Sequence, residues 1–346
     1  MFKHLQNQWT SLRNPRLDWI QVEISSYCNA SCIYCPHTIY RDSWQNRYMP
    51  LSTFERLQPV FSKTRLVFLQ GWGEPFMNRN FFEMATMVKE SGCTVGTSTN
   101  GMLLDDEMLD HLVVSQIDII AFSLAGATEA NDRIRVGTTL DQVLTTIRKL
   151  DRLKKKNGSN LPRVHIAYLL LRSGLNEIYN LPELLKGTGV SEGIISTLDF
   201  VPSTQLVGET IAPKTMNEFN ELCVQLDTIV RSAADNNVRI HYRIRSPENY
   251  LSQCTERSQN ALFVSSNGDI SPCVFTCLPV ENALYYSGKI EYNYQPLTFG
   301  NINKQSLSTI WHSKEYHDFR KAVNSDFPPV PCRDCPKRYM CSECAL

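Results

Sequence analysis

Trp19-Ile20-Gln21-Val22-Glu23-Ile24-Ser25-Ser26-Tyr27-Cys28-Asn29-Ala30-Ser31-Cys32-Ile33-Tyr34-Cys35 is the stretch that decides the fold. Residues 19–25 form a β-rich run, and three cysteines follow in the spacing C-x3-C-x2-C. The strand therefore delivers the cysteines at its C-terminal end, where barrel enzymes carry their chemistry. Three thiolates can ligate three irons of a four-iron cluster and leave the fourth iron open to a small chelating molecule. A structural zinc site is the competing reading. Zinc favours four ligands and C-x2-C pairs, and the nearby candidate for a fourth ligand is His37.

Working outward, the same alternation of short β-rich runs and helix-period runs continues to about residue 202. Further strands are expected at 65–70, 94–99, 118–124, 164–171 and 193–201. The clearest helix follows Thr138, where Leu140, Val143, Leu144, Ile147, Leu150 and Leu153 share one face and Gly158 ends the pattern. Others are expected at about 78–91, with Gly92 as its stop, and about 213–234. Six strand–helix repeats with right-handed crossovers make a parallel sheet. Six units are too few for an eight-fold barrel, which leaves a curved partial barrel or a doubly wound open sheet. After about residue 240 cysteines, turn residues and short strands take over, so a first domain 1–240 and a second domain 241–346 are expected.

The 346 residues carry 35 Lys plus Arg and 35 Asp plus Glu, a formal net charge of zero. That argues against nucleic acid as the main partner, because phosphate binding needs a basic surface. The run Lys154-Lys155-Lys156 reads as the C-terminal end of a helix, where cations are favourable. No signal peptide and no membrane span are expected, and the protein reads as cytoplasmic. Twelve cysteines in a reducing compartment point to metal or cluster ligation rather than disulfides. Cys93 and Cys223 stand alone in apolar segments and read as buried small hydrophobes.

Cys28, Cys32 and Cys35, with Tyr34 as the aromatic before the last of them, resemble the cysteine motif of the radical S-adenosylmethionine (radical SAM) enzymes. The second strand runs into Gly71-Trp72-Gly73-Glu74-Pro75, which resembles the family's G-G-E-P segment with Trp72 in place of the first glycine. Thr99-Asn100-Gly101 resembles its T-N-G, and Ser123-Leu124-Ala125-Gly126 resembles its S-x-D-G with Ala125 in place of aspartate. The resemblance implies an α/β fold with a partial (β/α)6 TIM-type barrel. It also implies a [4Fe-4S] cluster on Cys28, Cys32 and Cys35, with S-adenosylmethionine bound by Gly73, Glu74, Pro75, Asn100 and Ser123. Arg135 is a candidate for a carboxylate, which its guanidinium fork suits, or a surface residue. Arg172, Asn176, Arg243 and Arg245 are weaker candidates of the same kind, with capping or solvated positions as the alternative.

Seven cysteines follow residue 250. Cys254, Gly268 and Cys273 give C-x13-G-x4-C, Cys277 comes next, and Cys332, Cys335, Cys341 and Cys344 give C-x2-C-x5-C-x2-C. Taken alone, this half fits zinc or clusters equally. It also resembles the SPASM domain, or a shorter twitch-like one, which implies a small Cys-rich α+β unit with one or two auxiliary [4Fe-4S] clusters.

The whole then implies an enzyme that forms a 5′-deoxyadenosyl radical and abstracts hydrogen from substrate, supplied with electrons by a donor such as flavodoxin or ferredoxin. Oxidative maturation of a peptide or protein is the leading expectation. A sugar or aminosugar dehydrogenase or epimerase is the second, and a non-catalytic zinc module the third. About 17 residues precede the first strand, too few for the extra peptide-binding domain, roughly 80 residues or more, of many peptide-acting members.

Overall fold

A computed structural model of the chain describes residues 15–248 and 254–340. Strands β1 (Leu17–Val22), β2 (Thr64–Leu69), β3 (Thr94–Thr99), β4 (Ile119–Leu124), β5 (Arg163–Leu170), β6 (Val190–Thr197) and β7 (Arg239–Tyr242) pair in parallel in chain order. The six expected strands are all present, but the last starts earlier. Leu198 and Val201, read as its continuation, instead pack in a small cluster with Leu171 and Leu206 beyond the strand end. The seventh strand straddles residue 240.

The helices Phe81–Glu90, Asp106–Val114, Leu140–Lys156, Leu181–Leu185 and Met216–Asp235 fill the crossovers after β2 to β6. Side chains set their starts. Asp105 accepts the N–H of Met108, Thr139 that of Gln142 and Thr215 that of Glu218, which satisfies donors that a helix N-terminus leaves unpaired. Gly92 and Gly158, at φ 77° and 59°, follow helix ends in the left-handed conformation that glycine adopts without strain. Val143, Leu144, Ile147 and Leu150 are buried on the expected face, each such side chain contributing about 1.5–3 kcal/mol.

Beyond β7 the chain returns to the opposite edge of the same sheet. β8 (Ala261–Val264) pairs in parallel with β1, β9 (Asp269–Ser271) turns back antiparallel on β8, and after a separate hairpin β10 (Leu284–Ser287)–β11 (Ile290–Asn293), β12 (Gly300–Asn301) pairs with β9. The result is one open ten-stranded sheet whose end strands are β12 and β7. A large apolar core runs through it, from Ile20, Val67, Phe122 and Ile166 to Val264, Ile270, Ile302, Ile310 and Tyr316. Among the described residues no helix is long and apolar enough to cross a membrane.

Candidate functional site

The loop after β1 carries Cys28, Cys32 and Cys35 against the C-terminal ends of β2, β3 and β4. Backbone bonds fix it on one side: Ser31 N–H to Val136 O at 2.7 Å and Ile33 N–H to Ile134 O at 3.0 Å. On the other side, Glu74 N–H donates to Tyr27 O at 2.7 Å. Gly73 has to be glycine here, since a Cβ would lie 2.4 Å from the carbonyl oxygens of Ser25 and Tyr27.

Two segments that the sequence presents separately form one unit. The Glu74 carboxylate accepts the Thr99 hydroxyl at 2.7 Å and the Asn100 N–H at 2.8 Å, and it caps the turn Pro75–Met77 through Phe76 N–H. The Asn100 amide then donates to Asn29 Oδ1 at 2.7 Å, inside the cysteine loop. Burial raises the Glu74 carboxyl from the ordinary 4.5 to about 7, against the lowering by these hydrogen bonds and by Arg135. Ser123 lies at the end of β4, half-buried, its hydroxyl 3.2 Å from that of Ser98. The following turn is held by the buried Asn131, whose Oδ1 accepts Ala125 N–H at 3.0 Å.

Arg135 is buried, at 7% exposure, so the surface reading of this residue fails. Its Nη1 donates to the Tyr34 hydroxyl, and among the described residues its Nε has no hydrogen-bond partner. Burial works against its charge, and the Tyr34 oxygen with Cys32, Cys28 and Cys35 more than restores it. The three thiols are thus close enough to sense one guanidinium and one another. Burial pushes Cys28 up to about 11 and Cys35 up to about 12. His37 faces Asn46, at 3.4 Å, and the edge of Trp44. Arg172 is exposed with Nε on Thr210 O at 3.2 Å, Arg243 is exposed, and Arg245 lies over the Tyr339 ring at 5.3 Å.

In the C-terminal part, Cys254, Cys273, Cys332 and Cys335 lie near enough to influence one another electrostatically. Burial is the main reason that all four thiols are pushed up, Cys332 to about 12, and Cys273 is raised further by Glu256 and then by the other three. Cys277 faces Ser271, Ser265, Glu23 and Asp269 instead. Cys341 and Cys344 lie outside the described residues. Lys337 Nζ sits 2.9 Å from Asp199 at the end of β6 and 3.5 Å from Glu256, so an ionic triad fastens the Cys335 segment to the barrel end. Cys93 is buried, and Cys223 is partly so, as their apolar surroundings imply.

Residues 22–179 match the Radical SAM superfamily and residues 254–336 match SPASM, an iron-sulfur cluster-binding domain. The chain belongs to the radical SAM superfamily and carries a SPASM domain. A tungsten-containing aldehyde ferredoxin oxidoreductase cofactor-modifying protein of Pyrococcus furiosus is 24% identical over 94% of this chain and 89% of its own length. A PqqA peptide cyclase of Granulibacter bethesdensis is 23% identical over 91% of this chain and 79% of its own. In fold, the chain resembles SuiB of Streptococcus suis bound to S-adenosylmethionine, with TM-score 0.65 and 12% identity over 99% of this chain and 81% of that one. It also resembles anSMEcpe with bound AdoMet and a peptide, with TM-score 0.65 and 16% identity over 90% and 84%.

This radical SAM enzyme therefore uses a [4Fe-4S] cluster with S-adenosylmethionine, and its SPASM domain implies auxiliary iron–sulfur ligation. Among the described residues no three ligating side chains close on a single metal ion, and the donors present at both sites are thiols, the ligand type of four-iron clusters. Buried thiols held protonated by desolvation are the kind that a coordinating metal deprotonates outright, and the orphaned Nε of Arg135 adds a buried cation beside them. The Tyr34–Arg135 pair, the junction at Glu23 and the Lys337 triad were beyond sequence reasoning. Each joins residues 49 or more positions apart in the chain, and no local pattern reports that.

Proposed function

We propose that Cys28, Cys32 and Cys35 hold the catalytic cluster, that Gly73, Glu74, Pro75, Asn100, Ser123 and Arg135 bind S-adenosylmethionine, and that Cys254, Cys273, Cys332 and Cys335 hold one auxiliary [4Fe-4S] cluster. The enzyme, divided into a barrel 1–240 and an auxiliary domain 241–346, carries out oxidative maturation of a peptide or protein in the cytoplasm, with a flavodoxin- or ferredoxin-type electron donor. The convergence of the ends of β2, β3 and β4 on the three-cysteine loop carries this reading.

When bound, the cluster and S-adenosylmethionine supply the 5′-deoxyadenosyl radical that takes hydrogen from substrate. The chain's own work is placement. Tyr34 bonds Arg135, whose charge lies close enough to the three cysteines to sense them. Glu74 keeps the β2 and β3 ends together, and its remaining acceptor capacity suits an ammonium. The aromatic cluster of Trp44, Phe200 and Tyr294, with Trp72, Phe275 and Tyr285 packed against it, supplies an apolar flank that excludes water.

The peptide substrate is supported by the sequence likeness to the PqqA peptide cyclase. A small molecule or cofactor is the second reading, favoured by the longer match to the cofactor-modifying protein of Pyrococcus furiosus. To separate them, the reconstituted enzyme is incubated with reductant and S-adenosylmethionine beside candidate peptides and aminosugars. The expected result is 5′-deoxyadenosine release that rises with peptides. Release that rises only with small molecules replaces the first reading by the second.

A further inference from the structure

Trp72 stands where the related G-G-E-P segment has glycine, and the structure puts this departure to use. The two glycines beside it are pressed onto the segment that leads into the cysteine loop. A Cβ on Gly71 would lie 2.3 Å from Glu23 Cγ, and one on Gly73 would lie 2.4 Å from Ser25 O and Tyr27 O. Residues 71–73 are therefore a strap lying flat on residues 23–27.

Two connections lead from this strap to the C-terminal domain. The first is direct. The indole Nε1–H donates to Val274 O at 3.2 Å, and the ring meets Phe275 at 6.0 Å and Phe200 at 6.2 Å, both edge-on. Val274 and Phe275 immediately follow Cys273. The second passes through Glu23, which is fully buried. Its Oε1 accepts Trp72 N–H at 2.9 Å, while its Oε2 accepts the N–H of Ser266 at 3.2 Å and the Ser266 hydroxyl at 3.0 Å. Ser266 sits in the turn between β8 and β9, on the way to Cys273. In the other direction the strap continues into Glu74, which holds Asn100, which holds Asn29 beside Cys28. A continuous series of covalent and hydrogen bonds thus joins the Cys273 arm to the Cys28 loop, with Trp72 at its centre.

We propose that Trp72, supported by Glu23 and Ser266, is a positioning residue for S-adenosylmethionine: it bolts the Gly73–Glu74 strap to the auxiliary-cluster arm. The C-terminal domain is then part of what sets cofactor affinity, although none of its own residues need touch the cofactor. The inference rests on the reading that Gly73 and Glu74 line the cofactor site.

The test is equilibrium binding of S-adenosylmethionine to the reconstituted full chain, beside iron content and thermal midpoint. Trp72→Phe keeps an aromatic ring and removes the indole N–H, and Ser266→Ala removes one of the three donors to Glu23. Loss of one buried hydrogen bond at the bolt is expected to raise the dissociation constant by about three- to tenfold in each variant. Iron content stays at the wild-type value. In the double variant the effect is less than the product of the two, because both changes act on one strap. Wild-type affinity in both single variants overturns the proposal, as does affinity lost only in step with iron. A fully multiplicative double variant removes Glu23 and Ser266 from the bolt. Should Trp72→Phe not fold, Ser266→Ala carries the test alone. Failure of the wild-type protein to bind S-adenosylmethionine refutes the underlying reading, whereas the variant-to-wild-type ratio judges the bolt.

Discussion

Glu23 shows how one buried carboxyl leaves a measurable trace. Burial lifts it from the ordinary 4.5 to about 7, against the lowering by its bonds from Trp72 and Ser266. In that window the folded protein keeps a proton that the unfolded chain releases. The group's contribution to stability is therefore complete below about pH 4.5, falls as pH rises, and is gone above about 7. The span corresponds to at most about 3 kcal/mol. Glu23→Gln is expected to flatten the fall of the thermal midpoint between pH 5 and pH 7. A slope equal to that of the wild type would show that Glu23 does not titrate there. Gly73→Ala belongs to the same scale. Its added Cβ meets two backbone carbonyls that cannot swing aside. We expect a loss of about 1–3 kcal/mol in stability and at least tenfold in S-adenosylmethionine affinity, checked by denaturant titration and binding.

At the scale of elements, caps and pairings decide where each segment begins and which neighbour it meets. The helix Asp106–Val114 is started by Asp105, whose side chain accepts Met108 N–H at 2.9 Å. Asp105→Ala should cost about 1 kcal/mol in urea unfolding without changing iron content or turnover, since this helix packs on the helix Leu140–Lys156. The pairing of β8 with β1 matters more. It occupies the edge of the strand that carries the cysteines, and Glu23 N–H to Val264 O at 2.9 Å extends the ladder to the start of their loop. A fragment ending at residue 248 would leave β1 as a bare apolar edge, the kind that templates aggregation. The expected outcome is an insoluble fragment. A monomeric, folded fragment in size-exclusion chromatography would show that the barrel stands without its partner.

At the scale of the whole molecule, four cysteines from three separate stretches come within electrostatic reach of one another in the C-terminal part while Cys277 turns to Ser271 and Ser265. With the three cysteines of the β1 loop, this arrangement leads us to expect about eight irons per reconstituted chain, four at each site. About twelve would bring a second auxiliary cluster into play, and zinc in the C-terminal part would remove its redox role. The Cys28/Cys32/Cys35→Ala variant should retain about four irons, since the C-terminal set does not depend on those thiols.

The sequence by itself determined the cysteine spacings, the succession of strands and helices from Leu17 to Thr197, and the motif residues at the ends of β2, β3 and β4. These are local properties: periodicity of burial, turn residues and ligand spacing are written in adjacent positions. Only the tertiary structure decided that β7 and β8 extend the same sheet at its two edges, that Arg135 is buried against Tyr34, and that Trp72 reaches Val274 across about 200 residues of chain. The physical reason is common to all three. Pairing at a sheet edge, desolvation of a charge and a hydrogen bond between distant segments exist only after the chain has collapsed around one core, and no local pattern of residues encodes which distant groups will meet there.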